Sequence, residues 1–213
     1  LTYKHNQTMT AVSQKRYTLE EYAEFEYNAE QRHYFYNGMI IPMGYTSELH
    51  GQIIFNLIRE PGILIEDADY LAYSSERMIH VSACNLNYYP DIVFIKGEQQ
   101  FRQLKPRMKA TMNPYTLIEM LSDTTASKDK FDKWECYREI PSLQQYFMIA
   151  QHKPYIDIYN RIGNSNKWEN TYVNKLEQTI HIAEFDISVA QIYKKVVFPE
   201  KPELQTDELL FEE

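Results

Sequence analysis

A chain of 213 residues, 44% hydrophobic and 24% charged, has the make-up of one globular domain with a core of its own. Its formal charge of −8 argues against a general nucleic-acid binder, and no apolar run approaches the ~18 residues of a membrane-spanning helix. No signal-peptide order of basic, apolar and small residues is present, so a cytoplasmic protein without a membrane partner is expected.

The charge is uneven. From Glu200 to Glu213 there are six acids and one base, a net −5 of the −8, which leaves −3 on residues 1–199. Carboxylates gathered for metal binding would add to that negative balance until the ion arrives. The two cysteines, Cys84 and Cys136, have neither metal-ligand spacing nor a disulfide framework, so reduced, partly buried thiols are expected. Eighteen tyrosines favour a sheet. The chain starts at Leu1, which suggests a trimmed or extended N-terminus.

Residues 1–16 are polar and aperiodic and are expected to form a flexible arm. Thr18 can cap a helix, with Glu21 three residues on completing a capping box. Tyr34 to Met43 reads as a hairpin turning at Asn37-Gly38. Residues 50–59 carry apolar side chains at Ile53, Ile54, Leu57 and Ile58, a helical period. Strands are predicted over 71–73, 77–81 and 90–95, then a basic loop over 96–112. A strand over 116–121 and a helix over about 127–139 follow. Two hairpins come next, built from 145–150 with 155–159 and continuing into 168–173; 179–182 is a further strand, and 187–195 a last short helix. The domain is expected over 17–197, with an acidic tail over 198–213. Interleaved strands and helices predict an α/β (α+β) mixed sheet flanked by helices, with additional β-hairpins.

Glu119 interrupts Thr116-Leu117-Ile118-Glu119-Met120-Leu121, a run that otherwise reads as a buried strand. A carboxylate there is costly unless a cation or metal pairs with it. Asp91 follows Pro90 at the mouth of a second apolar run, Ile92-Val93-Phe94-Ile95. Lys133 lies on the helix that follows Glu119. Two strand-borne carboxylates and a lysine are the parts of a Mg²⁺- or Mn²⁺-dependent nuclease. The carboxylates suit a hard divalent ion, and a lysine can orient the attacking water or offset charge. Each residue also has a plainer use. Asp91 suits a strand start or turn cap, Glu119 a buried ion pair, and Lys133 a surface pair with Asp129 at i,i+4.

The order of short motifs along the chain carries more than any one of them. Tyr17-Thr18-Leu19-Glu20-Glu21-Tyr22 is followed by Asn37-Gly38, His50 and Pro90-Asp91-Ile92-Val93. Then come Asn113-Pro114, Ile118-Glu119-Met120-Leu121-Ser122, Asp129-Lys130 with Lys133 and Tyr137, and Pro141-Ser142-Leu143-Gln144-Gln145-Tyr146. In this order they resemble the Uma-two type of endonuclease, within the PD-(D/E)xK, restriction-endonuclease-like superfamily, over about residues 17–195. The resemblance implies a restriction-endonuclease-like sheet flanked by helices, Asp91 and Glu119 as ligands of Mg²⁺ or Mn²⁺, and DNA as the substrate. A homodimer is compatible with it. The superfamily lysine stands two residues after the glutamate, where this chain has Leu121; Lys133 matches the helix lysine thought to replace it.

Relatives usually carry a glutamate three residues before the Asn-Gly turn and another just after its glycine, where this chain has Tyr34 and Met39. Glu76 matches an acidic position of relatives and offers a substitute, or else a solvent-facing strand residue. His50 matches a family histidine at a helix start. Arg102, Lys105, Arg107 and Lys109 form a basic run between the two carboxylate strands, which suits phosphate contact. No base-reading motif accompanies it. The loss of the Tyr34 glutamate also leaves room for a catalytically degenerate nuclease-fold module that binds nucleic acid or a protein partner.

Overall fold

In a computed structural model of the chain, residues 15–64, 69–121 and 128–199 are described, the side chains of 60–64 and 128–132 excepted. The predicted arm and acidic tail lie outside the described residues apart from their inner ends.

Thr18 opens α1 (Leu19–Tyr27) with a complete capping box: its hydroxyl accepts the Glu21 amide, and Glu21 accepts the Thr18 amide. A hairpin of β1 (His33–Tyr36) and β2 (Met39–Pro42) follows. Its turn residues Asn37 and Gly38 both have positive φ, 48° and 79°, which suits the twist of a two-residue hairpin loop. A Cβ on Gly38 would also stand 3.0 Å from Arg16 Cδ. Helix α2 (Glu48–Leu64) leads to β3 (Tyr70–Ser74) and β4 (Ile79–Val81). A 3₁₀ turn at Ser82–Cys84 joins β4 to β5 (Leu86–Tyr88), and β6 (Ile92–Lys96) follows Pro90-Asp91.

The predicted basic loop over 96–112 is a correction. It folds as a hairpin of β7 (Phe101–Lys105) and β8 (Met108–Thr111), turning at Pro106-Arg107 with a register shift between Gln103 and Lys105. Alternating apolar and basic residues satisfy a half-exposed sheet, and the high charge masked that period. Next come β9 (Thr116–Leu121), α3 (Lys128–Tyr137), β10 (Gln145–Ala150), β11 (Ile156–Arg161) and β12 (Trp168–Val173). The chain closes with β13 (Thr179–Ile182), β14 (Phe185–Ser188) and the single turn α4 (Val189–Ile192), capped by Ser188. The last predicted helix is therefore shorter than 187–195, because Ile187 and Ser188 belong to a hairpin with β13.

One sheet has the order β2-β1-β5-β4-β8-β7 and a second the order β12-β11-β10-β9-β6-β3; β13 and β14 pair separately. The second sheet is mixed. Strands β9 and β10 run parallel, joined through α3, while the other pairings are antiparallel. This is the mixed sheet with flanking helices and additional hairpins that the restriction-endonuclease-like resemblance implies.

Alternation along β9 divides the core. Ile118 joins Ile53 and Leu57 of α2 with Phe94 and Phe147, whereas Leu117 joins Val93, Tyr146 and the α3 residues Trp134 and Tyr137. Fully burying each such aliphatic side chain contributes about 1.5–3 kcal/mol. Trp134 stacks on Tyr146 at 5.5 Å with the planes 5° apart, which clamps α3 to β10. Its neighbours Lys133 and Tyr137 are thereby fixed over β9.

A second correction concerns the cysteines. Cys84 and Cys136, 52 residues apart in sequence, are joined as a disulfide, with their Cα atoms 5.9 Å apart. Sequence spacing holds no trace of this, because the 3₁₀ turn meets α3 only in the folded chain.

Candidate active site

Asp91 lies one residue before β6, where its ladder with β9 ends at Ile92 opposite Ile118. One step further along that register, Asp91 and Glu119 come opposite each other. At this step the Met120 amide has no main-chain acceptor on the β6 side, and Asp91 Oδ2 accepts it at 2.7 Å. Asp91 is thus held by the end of the ladder it caps.

Glu119 is only 6% exposed although it sits on a central strand. The Tyr137 hydroxyl donates to Glu119 Oε1 at 3.0 Å, and Lys133 Nζ stands 3.9 Å from Oε2. Lys133 also donates to Tyr88 Oη at 2.6 Å, with its ammonium 4.0 Å from the centre of that ring. Burial, and secondarily the nearby Glu119 charge, push the Tyr137 phenol well above its ordinary range. Tyr137 therefore keeps its proton and remains a donor to the carboxylate.

His50 reaches Asp91 from the first turn of α2. Its Nε2 lies 3.1 Å from Asp91 Oδ1, off the hydrogen-bond angle. Its Nδ1 lies 3.5 Å from Gln151 Nε2, just past the end of β10. Ser47 accepts the His50 amide at 3.1 Å and donates to Gln151 Oε1 at 2.7 Å.

The structure therefore brings Asp91, Glu119, Lys133 and His50 to one end of the second sheet. It does not bring Glu76 there. Glu76 lies in the turn after β3, its side chain 80% exposed, paired with Arg32 at 2.6 Å. The side chain of Asp129 lies outside the described residues. The basic residues of the β7–β8 hairpin have partners of their own. Arg102 contacts His80 Nε2 at 2.9 Å, Lys105 pairs with Glu24 of α1, and Lys109 lies 3.5 Å from the centre of the Phe101 ring. Arg107 occupies the exposed turn. Tyr34, at the position where the resemblance implies glutamate, packs edge-on against Tyr88 at 5.1 Å, behind the lysine's partner.

Sequence reasoning missed Tyr88, Ser47 and Gln151 and gave Tyr137 no role. Tyr137 was legible as the residue four after Lys133 on one helix face, and Ser47 as a cap three before His50. Nothing local marks Tyr88 or Gln151.

Among the described residues no three His, Cys, Asp or Glu side chains converge as a complete metal shell. The donor set still suits Mg²⁺ or Mn²⁺, which commonly take one or two carboxylates and complete the shell with water and substrate oxygens.

Residues 19–190 match the model of the Uma2 family, described as "Putative restriction endonuclease". The Synechocystis sp. (strain ATCC 27184 / PCC 6803 / Kazusa) protein sll1609 is 31% identical over 156 residues, 73% of this chain and 87% of the relative. A second protein of that organism, slr1290, is 25% identical over 142 residues, 67% of this chain and 73% of its own length. The crystal structure of a "putative nuclease belonging to DUF820" from Anabaena variabilis ATCC 29413 superposes with a TM-score of 0.64 at 15% identity. It covers 84% of this chain and 99% of its own.

Proposed function

The chain belongs to the Uma2 family, a nuclease family by its description, and from that premise we propose that it is a metal-dependent DNA endonuclease. Asp91 and Glu119 would hold Mg²⁺ or Mn²⁺. When bound, such an ion lowers the pKa of water and offsets the charge of a phosphodiester. The Met120 amide orients Asp91, and Tyr137 orients Glu119. Lys133 offers a proton-bearing ammonium beside the carboxylates, steadied by Tyr88, where it offsets charge on the reacting phosphate. The observation that carries this reading is Glu119 itself, a buried strand carboxylate with a lysine 3.9 Å away and Asp91 next to it across the ladder.

The test is cleavage of supercoiled plasmid DNA with Mg²⁺ or Mn²⁺, with EDTA as control. Wild type is expected to nick the plasmid, and Asp91→Asn and Glu119→Gln to be inert while still folded. Cleavage by both variants at the wild-type rate would end the assignment. Divalent ion should also raise the melting temperature of wild type and not of the variants, since binding to the native state alone stabilises it. Inert wild type without that shift would favour the degenerate binding module, to which the Tyr34–Tyr88 packing at the lost glutamate position points.

A further inference from the structure

We propose that Gln151 and Ser47 are positioning residues that hold the His50 imidazole with its proton on Nε2, facing Asp91. His50 then serves as a donor to the carboxylate and is not itself a metal ligand. The kinetic part of this proposal rests on the endonuclease reading; the tautomer does not.

Ser47 accepts the His50 amide at 3.1 Å, the bond made by a helix N-cap. With its oxygen so engaged, its hydroxyl proton is directed to Gln151 Oε1 at 2.7 Å. An amide whose oxygen is held turns its NH₂ the other way, and Gln151 Nε2 does face His50 Nδ1, at 3.5 Å. A neutral imidazole that accepts at Nδ1 carries its hydrogen at Nε2. That nitrogen is buried, lacks an aligned hydrogen-bond partner, and lies 3.1 Å from Asp91 Oδ1. A small rotation of the ring aligns the N–H with the carboxylate. Asp91 is then gripped at both oxygens, by the Met120 amide and by His50, and its remaining lone pairs keep a fixed direction.

The alternative role for His50 needs a different arrangement. A metal-ligating Nε2 must be unprotonated, so Nδ1 would carry the hydrogen and require an acceptor. Ser47 has turned the only acceptor of Gln151 away from it. The relay joins the first turn of α2 to the end of β10, more than 100 residues downstream. Only the folded sheet brings them together.

Nitrogen-15 NMR of histidine-labelled protein without added metal reads the tautomer directly, with the His50 signals assigned by their loss in His50→Gln. Wild type is expected to show Nδ1 unprotonated and Nε2 protonated. Gln151→Glu presents only acceptors to Nδ1, so the Nδ1 signal should move into the protonated range. Ser47→Ala frees the amide to turn and should blur the preference. A wild-type ring protonated at Nδ1, or a Gln151→Glu ring like that of wild type, overturns the proposal. In cleavage assays Gln151→Leu should lower kcat about 10- to 100-fold with KM little changed. If the Gln151→Glu tautomer moves but wild type cleaves no DNA, the relay stands and the endonuclease reading falls.

Discussion

Lys133 Nζ is shared between Tyr88 Oη, 2.6 Å away, and Glu119 Oε2, 3.9 Å away. The lysine comes from α3 and the tyrosine from β5 of the first sheet, so the contact ties both sheets to the site. Hydrogen bonding to the phenol fixes a long, flexible side chain that would otherwise sample many rotamers. Lys133→Met is expected to lower kcat by about 10²-fold or more, the scale of a lost proton-transfer or charge-stabilising group. Tyr88→Phe keeps the ring under the ammonium and removes only the hydroxyl. It should cost about tenfold in kcat with little change in KM, as supporting groups typically do. Steady-state cleavage kinetics read both, and an unchanged kcat in Lys133→Met would remove the lysine from the mechanism.

Glu119 bears on stability as well. A buried carboxylate alone is costly, but this one accepts from Tyr137 and faces Lys133. Replacing it by glutamine leaves the ammonium with one anionic neighbour fewer in a buried setting. Glu119→Gln is therefore expected to lose about 1–3 kcal/mol, measured by urea unfolding. Tyr137→Phe should lose a comparable amount; in a cycle with Glu119→Ala, which leaves no acceptor, the double variant should lose less than the sum, because both substitutions remove one shared bond. Strict additivity in that cycle would show that the Tyr137–Glu119 bond contributes nothing.

How much of this was legible in the sequence depends on the range of the forces concerned. The α1 capping box and the Asn37-Gly38 hairpin are local devices, and both formed where their residues stand. The mixed sheet and the buried carboxylate on β9 followed from apolar patterning. The hairpin over 101–111 did not, because its lysines and arginines satisfy a half-exposed sheet through partners such as Glu24 and His80 that lie elsewhere in sequence. For the same reason Tyr88, Gln151 and the Cys84–Cys136 link were invisible. Each is defined by a contact that exists only after the sheets have formed.

His80 gives a dependence on pH. Burial holds its imidazole below the ordinary value of 6.5, against the opposing Asn87 bond and with help from the Arg102 charge. Nδ1 meets Asn87 Oδ1 at 2.6 Å and Nε2 meets Arg102 at 2.9 Å, so the neutral ring donates to one and accepts from the other. Protonation would break the arginine contact and set two cations together. The unfolded chain thus binds the proton more readily than the folded one. This contribution to stability is complete above about pH 6.5 and falls as the pH drops through that value towards the lower folded pKa, by at most about 1.4 kcal/mol per unit. Unfolding between pH 7.5 and 5 should show a steeper loss for wild type than for His80→Gln. Equal slopes would mean that His80 titrates alike in both states.

The Cys84–Cys136 link sits where it can be felt at the site. Cys136 adjoins Tyr137 and follows Lys133 by one helical turn, while Cys84 precedes Tyr88 by four residues. The bond therefore closes the same α3–first-sheet junction that the Lys133–Tyr88 contact spans. Closing a loop of 52 residues restricts the unfolded chain, which the chain-entropy model values at about 4 kcal/mol. Reduction with a dithiol is expected to lower the urea midpoint of wild type and leave the Cys84→Ser/Cys136→Ser variant unmoved. Cleavage should fall in the reduced protein too, because α3 is then tied to the first sheet by side-chain contacts alone. Two freely titrating thiols in the native protein as isolated would refute the link. A midpoint indifferent to reductant would show that packing alone already fixes this junction.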